Sequence, residues 1–143
     1  MHATRISDTA DQIWRLVSTG DLALADQLAE DVTLRASGTS HWSGTYTGRN
    51  QVLAYLNELI THFPNQSLEL RDTLTSDRRI AYLVGVAIER DGHVVNDESI
   101  WVMTVDRGLI VDWELNDSDQ YAMDEFWNLF PESASRLLPA GPS

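Results

Sequence analysis

Apolar residues recur at helical spacing in the first third of the chain and again near its end, and at alternate positions in between. Ile6, Ala10, Ile13, Trp14 and Val17 fall on one stripe, which predicts a helix over 7–19. Asp8, Thr9 and Asp11 supply oxygens and negative charge at its start, and Gly20 stops it. Asp21 then caps a shorter helix through Ala29, with Leu22, Ala25 and Leu28 inward. "DVTLRAS" reads as a short strand. Val52, Leu53, Leu56, Leu59, Ile60 and Phe63 define a third amphipathic helix, opened at Thr47 or Gly48 and closed by Pro64.

From Ser67 the period changes to two. "SLELRDTLT", "RRIAYLVGVAIE", "HVVNDESIWVMTVD" and "LIVDWELND" are strand candidates separated by short turns. Asp91-Gly92 suits a type I′ hairpin, and Gly108 plays a similar part in the next one. Beyond Asn116 the helical period returns: Ser118 or Asp119 caps a closing helix that buries Ala122, Phe126 and Phe130. Helices, then an antiparallel meander, then a helix make an α+β plan, with the helices on the concave face of a curved sheet. Such a sheet encloses a cone whose deep end is a natural ligand pocket.

At 143 residues the chain is expected to form one domain, 1–131, followed by a weakly ordered tail, 132–143, rich in proline and small residues. A net charge of −12, from 22 acids against 10 bases, argues against nucleic acid or anionic lipid as partners. No apolar run reaches the roughly 18 residues of a membrane span, and no secretory leader is expected at the N-terminus. Cysteine is absent, which excludes thiol nucleophiles and thiolate metal sites and suits a cytoplasmic location. The four histidines lack ligand spacing with a carboxylate, so no metal is expected. Neither a phosphate loop nor a Gly-x-Ser-x-Gly elbow is present.

"EDVTL", "SGTYTGRNQVLAYL", "DGHVVNDESIWVMTVDRGLIVDW" and "DQYAMDEFW", in that order, resemble the SnoaL-like branch of the nuclear transport factor 2-like superfamily. The resemblance implies a cone-shaped fold, a homodimer and no organic cofactor. It does not fix a reaction, since relatives include ketosteroid isomerase, polyketide cyclases and limonene epoxide hydrolase. The isomerase's proton-shuttling aspartate matches Ala36 or Thr39, its second aspartate Trp101, and its first-helix tyrosine a position near Ile13. The hydrolase's last-strand aspartate matches Leu115, and "RRIAYLVG" holds no Arg-x-Asp. Histidines carried by closer relatives are replaced by Arg35 and Trp101. Both named mechanisms are therefore excluded in their familiar form.

Strand parity proposes a pocket instead. Trp113 and Leu115 share one face of the last strand, and Asp97, Ser99, Trp101 and Met103 share one face of its neighbour. With Trp14 and Trp42 these form an apolar substrate-binding wall, and Arg35 is an anion anchor. Asp97, His41 and Tyr46 are the catalytic candidates: two titratable groups and a hydroxyl donor. Each has a plainer reading, respectively a cross-strand ion pair, an exposed loop residue and packing on the third helix. Three functions follow: a cofactor-independent cyclase, isomerase or hydrolase acting on a hydrophobic metabolite such as a polyketide; a non-catalytic binding protein; or a dimerisation module. Ile100 and Val102, on the outer sheet face, predict a homodimer there.

Overall fold

The computed structural model of the protein describes residues 5–130; the tail expected over 132–143 lies outside them. Helix α1 spans Ile6–Thr19, α2 Arg49–His62 and α3 Gln120–Trp127. Six strands form one open mixed sheet: β1 Leu28–Ala36, β2 Gly44–Thr47, β3 Asn65–Thr75, β4 Arg79–Arg90, β5 His93–Asp106 and β6 Leu109–Asp117. Their order is β2-β1-β6-β5-β4-β3, antiparallel throughout except where β1 runs parallel to β6. The architecture is α+β, as expected.

Alternation decides which face is covered. Tyr82, Trp101 and Leu115 lie side by side across β4, β5 and β6, as do Val84, Ser99 and Asp117. These residues face the helices, while Leu83, Ile100 and Asn116 form the corresponding row of the open face. Register shifts between Leu28/Thr33, Leu70/Asp72 and Thr104/Val105 bend the strands and raise their twist. Both hairpin tips have the left-handed backbone that a type I′ turn needs, with Asp91 at φ 52° and Gly92 at 83°, and Arg107 at 53° and Gly108 at 78°.

Three local differences from the sequence reading bear on the pocket. The second helix is a six-residue 3₁₀ segment, Leu22–Gln27, capped by Asp21. The chain turns into β1 at Leu28 because Leu28, Val32 and Leu34 are all needed on the covered face. The glycine-rich loop contains a strand, β2, antiparallel to β1, which places Tyr46 beside Leu34. Val52 of α2 and Phe63 just beyond its end are fully buried, but Leu53, Leu56 and Leu59 remain only partly covered and Ile60 is 53% exposed. Their apolar stripe faces a void.

The loop before β2 is fixed by one aromatic cluster. Trp42 packs against Tyr55, Phe63 and Trp127, with ring centroids 6.1, 5.5 and 6.0 Å away. The Asp124 carboxylate accepts hydrogen bonds from the Thr39 amide (3.0 Å) and hydroxyl (3.2 Å), seating the loop on α3. Gly38 passes this contact at φ +102°, and a Cβ there would run into Asp124 and Gln120. Gly38→Ala is therefore expected to lower stability by about 1–3 kcal/mol, measured by urea unfolding. An unchanged midpoint would show that the loop re-seats freely.

Candidate functional site

Between the helices and the sheet lies a cavity of about 550 Å³, within the range of small-molecule sites. Its floor is the sheet row Ser99, Trp101, Trp113, Leu115 and Asp117, and its roof the apolar stripe of α2 with Leu16 and Val17 of α1. Met123 and Trp127 of α3 and Trp42 of the loop close one side. Leu22, 91% exposed, and Ile60 mark the mouth. Among the described residues no Lys, Arg or His contributes to the wall.

Most polar groups on the wall are already committed. Asp21 accepts from the Ala23 amide at 2.8 Å. Ser37 donates to Gln120 at 2.6 Å, Ser40 and Ser43 share a hydrogen bond at 2.9 Å, and Gln66 donates to the Leu59 carbonyl at 3.1 Å. Asp117, Tyr55 and the indole N–H groups of Trp42 and Trp113, the last two buried without a partner among the described residues, are different. The Ser99 hydroxyl, itself buried, donates to Asp117 at 2.5 Å. Burial pushes the Asp117 carboxyl above the usual carboxylate value, and the charges of Asp97 and Asp124 push the same way. Hydrogen bonds from Ser99 and Gln120 oppose the shift without cancelling it. Tyr55, 3% exposed, has no hydrogen-bond partner for its hydroxyl among the described residues. Burial, then the neighbouring Tyr46 and Asp117, raises its pKa well above the phenol value, so it stays protonated.

The structure redistributes the residues expected from sequence. Trp42, Trp101, Trp113 and Leu115 line the cavity. Trp14 stands behind the wall, 5.6 Å from both Tyr82 and Trp101, and Met103 is fully buried in the core. Arg35 must be corrected. Val32 and Leu34 occupy the covered face, so Arg35 projects from the open one and pairs with Asp112 (2.9 Å) and Glu114 (3.3 Å).

The three catalytic candidates also lie outside the cavity wall. His41 is exposed, its backbone amide donating to Asn128 at 3.2 Å, because the neighbouring Trp42 takes the inward position. Tyr46 donates its hydroxyl to the Trp42 carbonyl at 3.0 Å, and burial pushes its pKa up to about 12. Its ring lies 4.2 Å from that of Tyr55, so it supports the cavity from behind. Asp97 accepts from the Asp119 amide at 3.1 and 3.2 Å and reaches the site only through its charge. The residues that sequence reasoning missed, Asp117 and Tyr55, carried a usable signal. Asp117 follows Trp113 and Leu115 on the same strand parity, and Tyr55 sits three residues after Val52 on the inward stripe of α2. Among the described residues no group of three or more His, Cys, Asp or Glu is placed to hold a metal ion.

A family model described as a SnoaL-like domain matches residues 10–113. No curated protein matches the chain in sequence. Among solved structures, the chain is similar to Bal32a from a soil-derived mobile gene cassette, at 23% identity and a TM-score of 0.79, covering 85% of this chain and 95% of that one. A Xanthomonas campestris protein of unknown function with a cystatin-like fold gives 23% identity and a TM-score of 0.80, covering 87% and 98%. A putative SnoaL-like polyketide cyclase from a Jannaschia species gives 12% identity and 0.71, covering 86% and 94%. At these identities the likeness is one of fold.

The Asp117 site has a thermodynamic signature. Its carboxyl is raised in the folded state, so folding is penalised once the group ionises, and the penalty is absent below the unfolded carboxylate pKa. Asp117→Asn is expected to raise Tm near neutral pH, with the gain shrinking as pH falls through the ordinary carboxylate range. Paired melting curves across that range check it, and a constant difference would place the effect elsewhere than in ionisation.

Proposed function

Because the chain belongs to the SnoaL-like domain family, we propose that it is a cofactor-independent acid–base enzyme acting on a hydrophobic small molecule, by cyclisation or isomerisation. The observation that carries the reading is the carboxyl of Asp117: half-buried in the wall of an otherwise largely apolar cavity, held by Ser99, and raised above the usual carboxylate value, toward the range in which a proton-transfer group works best. The fold alone would not support an activity. The chemistry assigned to Asp97 and His41 on sequence grounds passes to Asp117, with the tryptophan wall shaping the substrate.

In this reading the ionised carboxylate removes a proton from carbon and later returns it, while Ser99 fixes its orientation. A polyketide-like ligand agrees with the volume and apolar lining of the cavity, and with the printed description of the Jannaschia protein. No helix among the described residues is long and apolar enough to cross a membrane, and a cytoplasmic location fits the cysteine-free sequence. Association across the open face of the sheet is part of the proposal. Ile100, 40% exposed, and Leu74, 56% exposed, leave apolar surface there between the Arg71–Glu98 and Arg35–Asp112 ion pairs.

The reaction class is testable before the substrate is known. A panel of apolar ketones incubated with the protein in deuterated buffer should exchange protons on the carbon beside the carbonyl faster than in buffer alone, read by mass spectrometry. Asp117→Asn should slow exchange by at least about tenfold, since a general base contributes on the order of 10²–10⁴. Ser99→Ala removes a hydrogen bond that favours the charged form, so the rising limb of the pH profile should move to higher pH. Wild-type exchange no faster than buffer would leave a binding protein. For association, light scattering should give twice the 16.1 kDa chain mass, and Ile100→Glu should return it to the single-chain value.

A further inference from the structure

The hairpin tip between β4 and β5 does not line the cavity, and it carries chemistry of its own. Asp91-Gly92 is the only Asp-Gly step in the chain, and no Asn is followed by Gly. The Asp91 side chain is 77% exposed. An aspartate's carboxyl carbon can close a five-membered ring on the next main-chain nitrogen, and glycine puts no side chain in the way. A Cβ built at Gly92 would meet nothing within 4 Å, so there is room for the ring.

The backbone is already part of the way there. Closing the ring locks the Asp91 Cα–C bond at a ψ of about −120°, which with a φ of about +60° is the first central position of a type II′ turn. Asp91 has φ 52°. Types I′ and II′ both join antiparallel strands through two residues, so the ring needs only a new ψ at Asp91 and a change of sign in φ at Gly92, which glycine tolerates. The pair Arg90↔His93 that ends the ladder is kept.

The tip also holds a base. Asn65 Nδ2 donates to Glu89 Oε2 at 2.8 Å, and the Gly92 amide donates to Glu89 Oε1 at 3.2 Å. These hydrogen bonds, that from Asn65 foremost, hold the Glu89 carboxyl below its ordinary value, so it remains an anion in mild acid. The neighbouring cation is Arg90, whose Nε lies 3.8 Å from the Asp91 carboxylate.

We propose that Asp91-Gly92 is a self-modification site, at which the chain converts Asp91 to isoaspartate through a cyclic imide with Glu89 as the base. The Gly92 nitrogen attacks Cγ of the protonated Asp91 carboxyl as its own proton passes to the Glu89 carboxylate. The C–N bond forms, and a hydroxyl leaves as water, carrying the proton back from Glu89. Water then adds to the main-chain carbonyl carbon of Asp91, the bond from that carbon to the Gly92 nitrogen breaks, and a proton goes to the nitrogen. The chain now runs through Cβ and Cγ, one carbon longer at the tip, and bears a free α-carboxyl, the group that isoaspartyl methyltransferases methylate.

The full chain, kept for weeks in mildly acidic buffer at physiological temperature, should give first a species lighter by one water and then one of the original mass. An isoaspartyl methyltransferase with radiolabelled methyl donor should label that product. Electron-transfer fragmentation of a chymotryptic peptide spanning the hairpin should place the added main-chain carbon at Asp91. Glu89→Gln keeps the shape and an acceptor for the Gly92 amide but removes the base, and should slow the reaction at least about tenfold, since a general base contributes on the order of 10²–10⁴. Wild-type chain unfolded in urea loses both the placed base and the positive φ, and should also react more slowly than the folded protein. Asp91→Glu, whose longer side chain cannot close the same ring, should abolish labelling at the tip. No isoaspartate at Asp91, or isoaspartate spread evenly over other aspartates, would overturn the site. Equal rates in wild type and Glu89→Gln, or a rate in urea equal to or above that of the folded protein, would overturn the part assigned to Glu89 and the turn.

Discussion

Trp42 is held on one side by Tyr55 and Phe63 of the α2 region, on another by Trp127 of α3, and receives the Tyr46 hydroxyl on its backbone carbonyl. Aromatic pairs of this kind contribute about 0.5–1.5 kcal/mol each beyond the area they bury. Their larger effect is geometric. The cluster fixes the distance between α2 and the sheet at one end of the molecule, and Trp14, packed at a tilt on Tyr82 and Trp101, sets it near α1. Between these supports the helices cannot collapse onto the sheet, so the stripe of Leu53, Leu56 and Leu59 keeps an empty volume in front of it.

That volume is where the protein departs from the usual rules of a core. Interiors are normally filled to crystal-like density, and buried carboxylates are normally paired with a cation. Here the void is retained and Asp117 has only hydroxyl and amide partners, with two further carboxylates acting on it from outside. Asp97 and Asp124 have their own structural duties, one accepting from the Asp119 amide and the other from Thr39. The same acidic groups that fasten the loop and α3 therefore add to the rise that burial gives the cavity carboxylate.

Much of the frame was legible because periodicity responds to burial on one face. The change from period 3.6 to period two marked α1, α2 and the four-stranded meander, and the Asp91-Gly92 and Gly108 turns had the backbone their residues favour. The site was less legible, for identifiable reasons. Alternation places Trp113, Leu115 and Asp117 in one row, but at the end of a strand it does not separate a half-buried carboxylate from a solvated turn; the row across from it, Ser99 on β5, makes the difference. His41 and Trp42 look alike in a glycine-rich loop until one takes the inward position. Tyr55 lines the cavity and Tyr46 stands behind it, which the sequence did not show because β2, only four residues long and opened by Gly44, is too short for its period to appear. Arg35 was readable from the alternation of Val32 and Leu34, had that rule been applied ahead of its charge.

The parallel pairing of β1 with β6 has a consequence for how the chain reaches this state. Strands β3 to β6 are joined by tight turns and close with little loss of loop entropy, whereas Arg35 and Asp112 meet across 77 residues and Ser37 and Gln120 across 83. Contacts of such long sequence separation are the slow part of folding for proteins of this size. They are also the contacts that bring the loop from Ser37 to Ser43 against the end of β6 and so close the cavity around Asp117. The chain encloses its cavity only as its most distant segments are joined, so that volume is a property of the completed topology rather than of any local element.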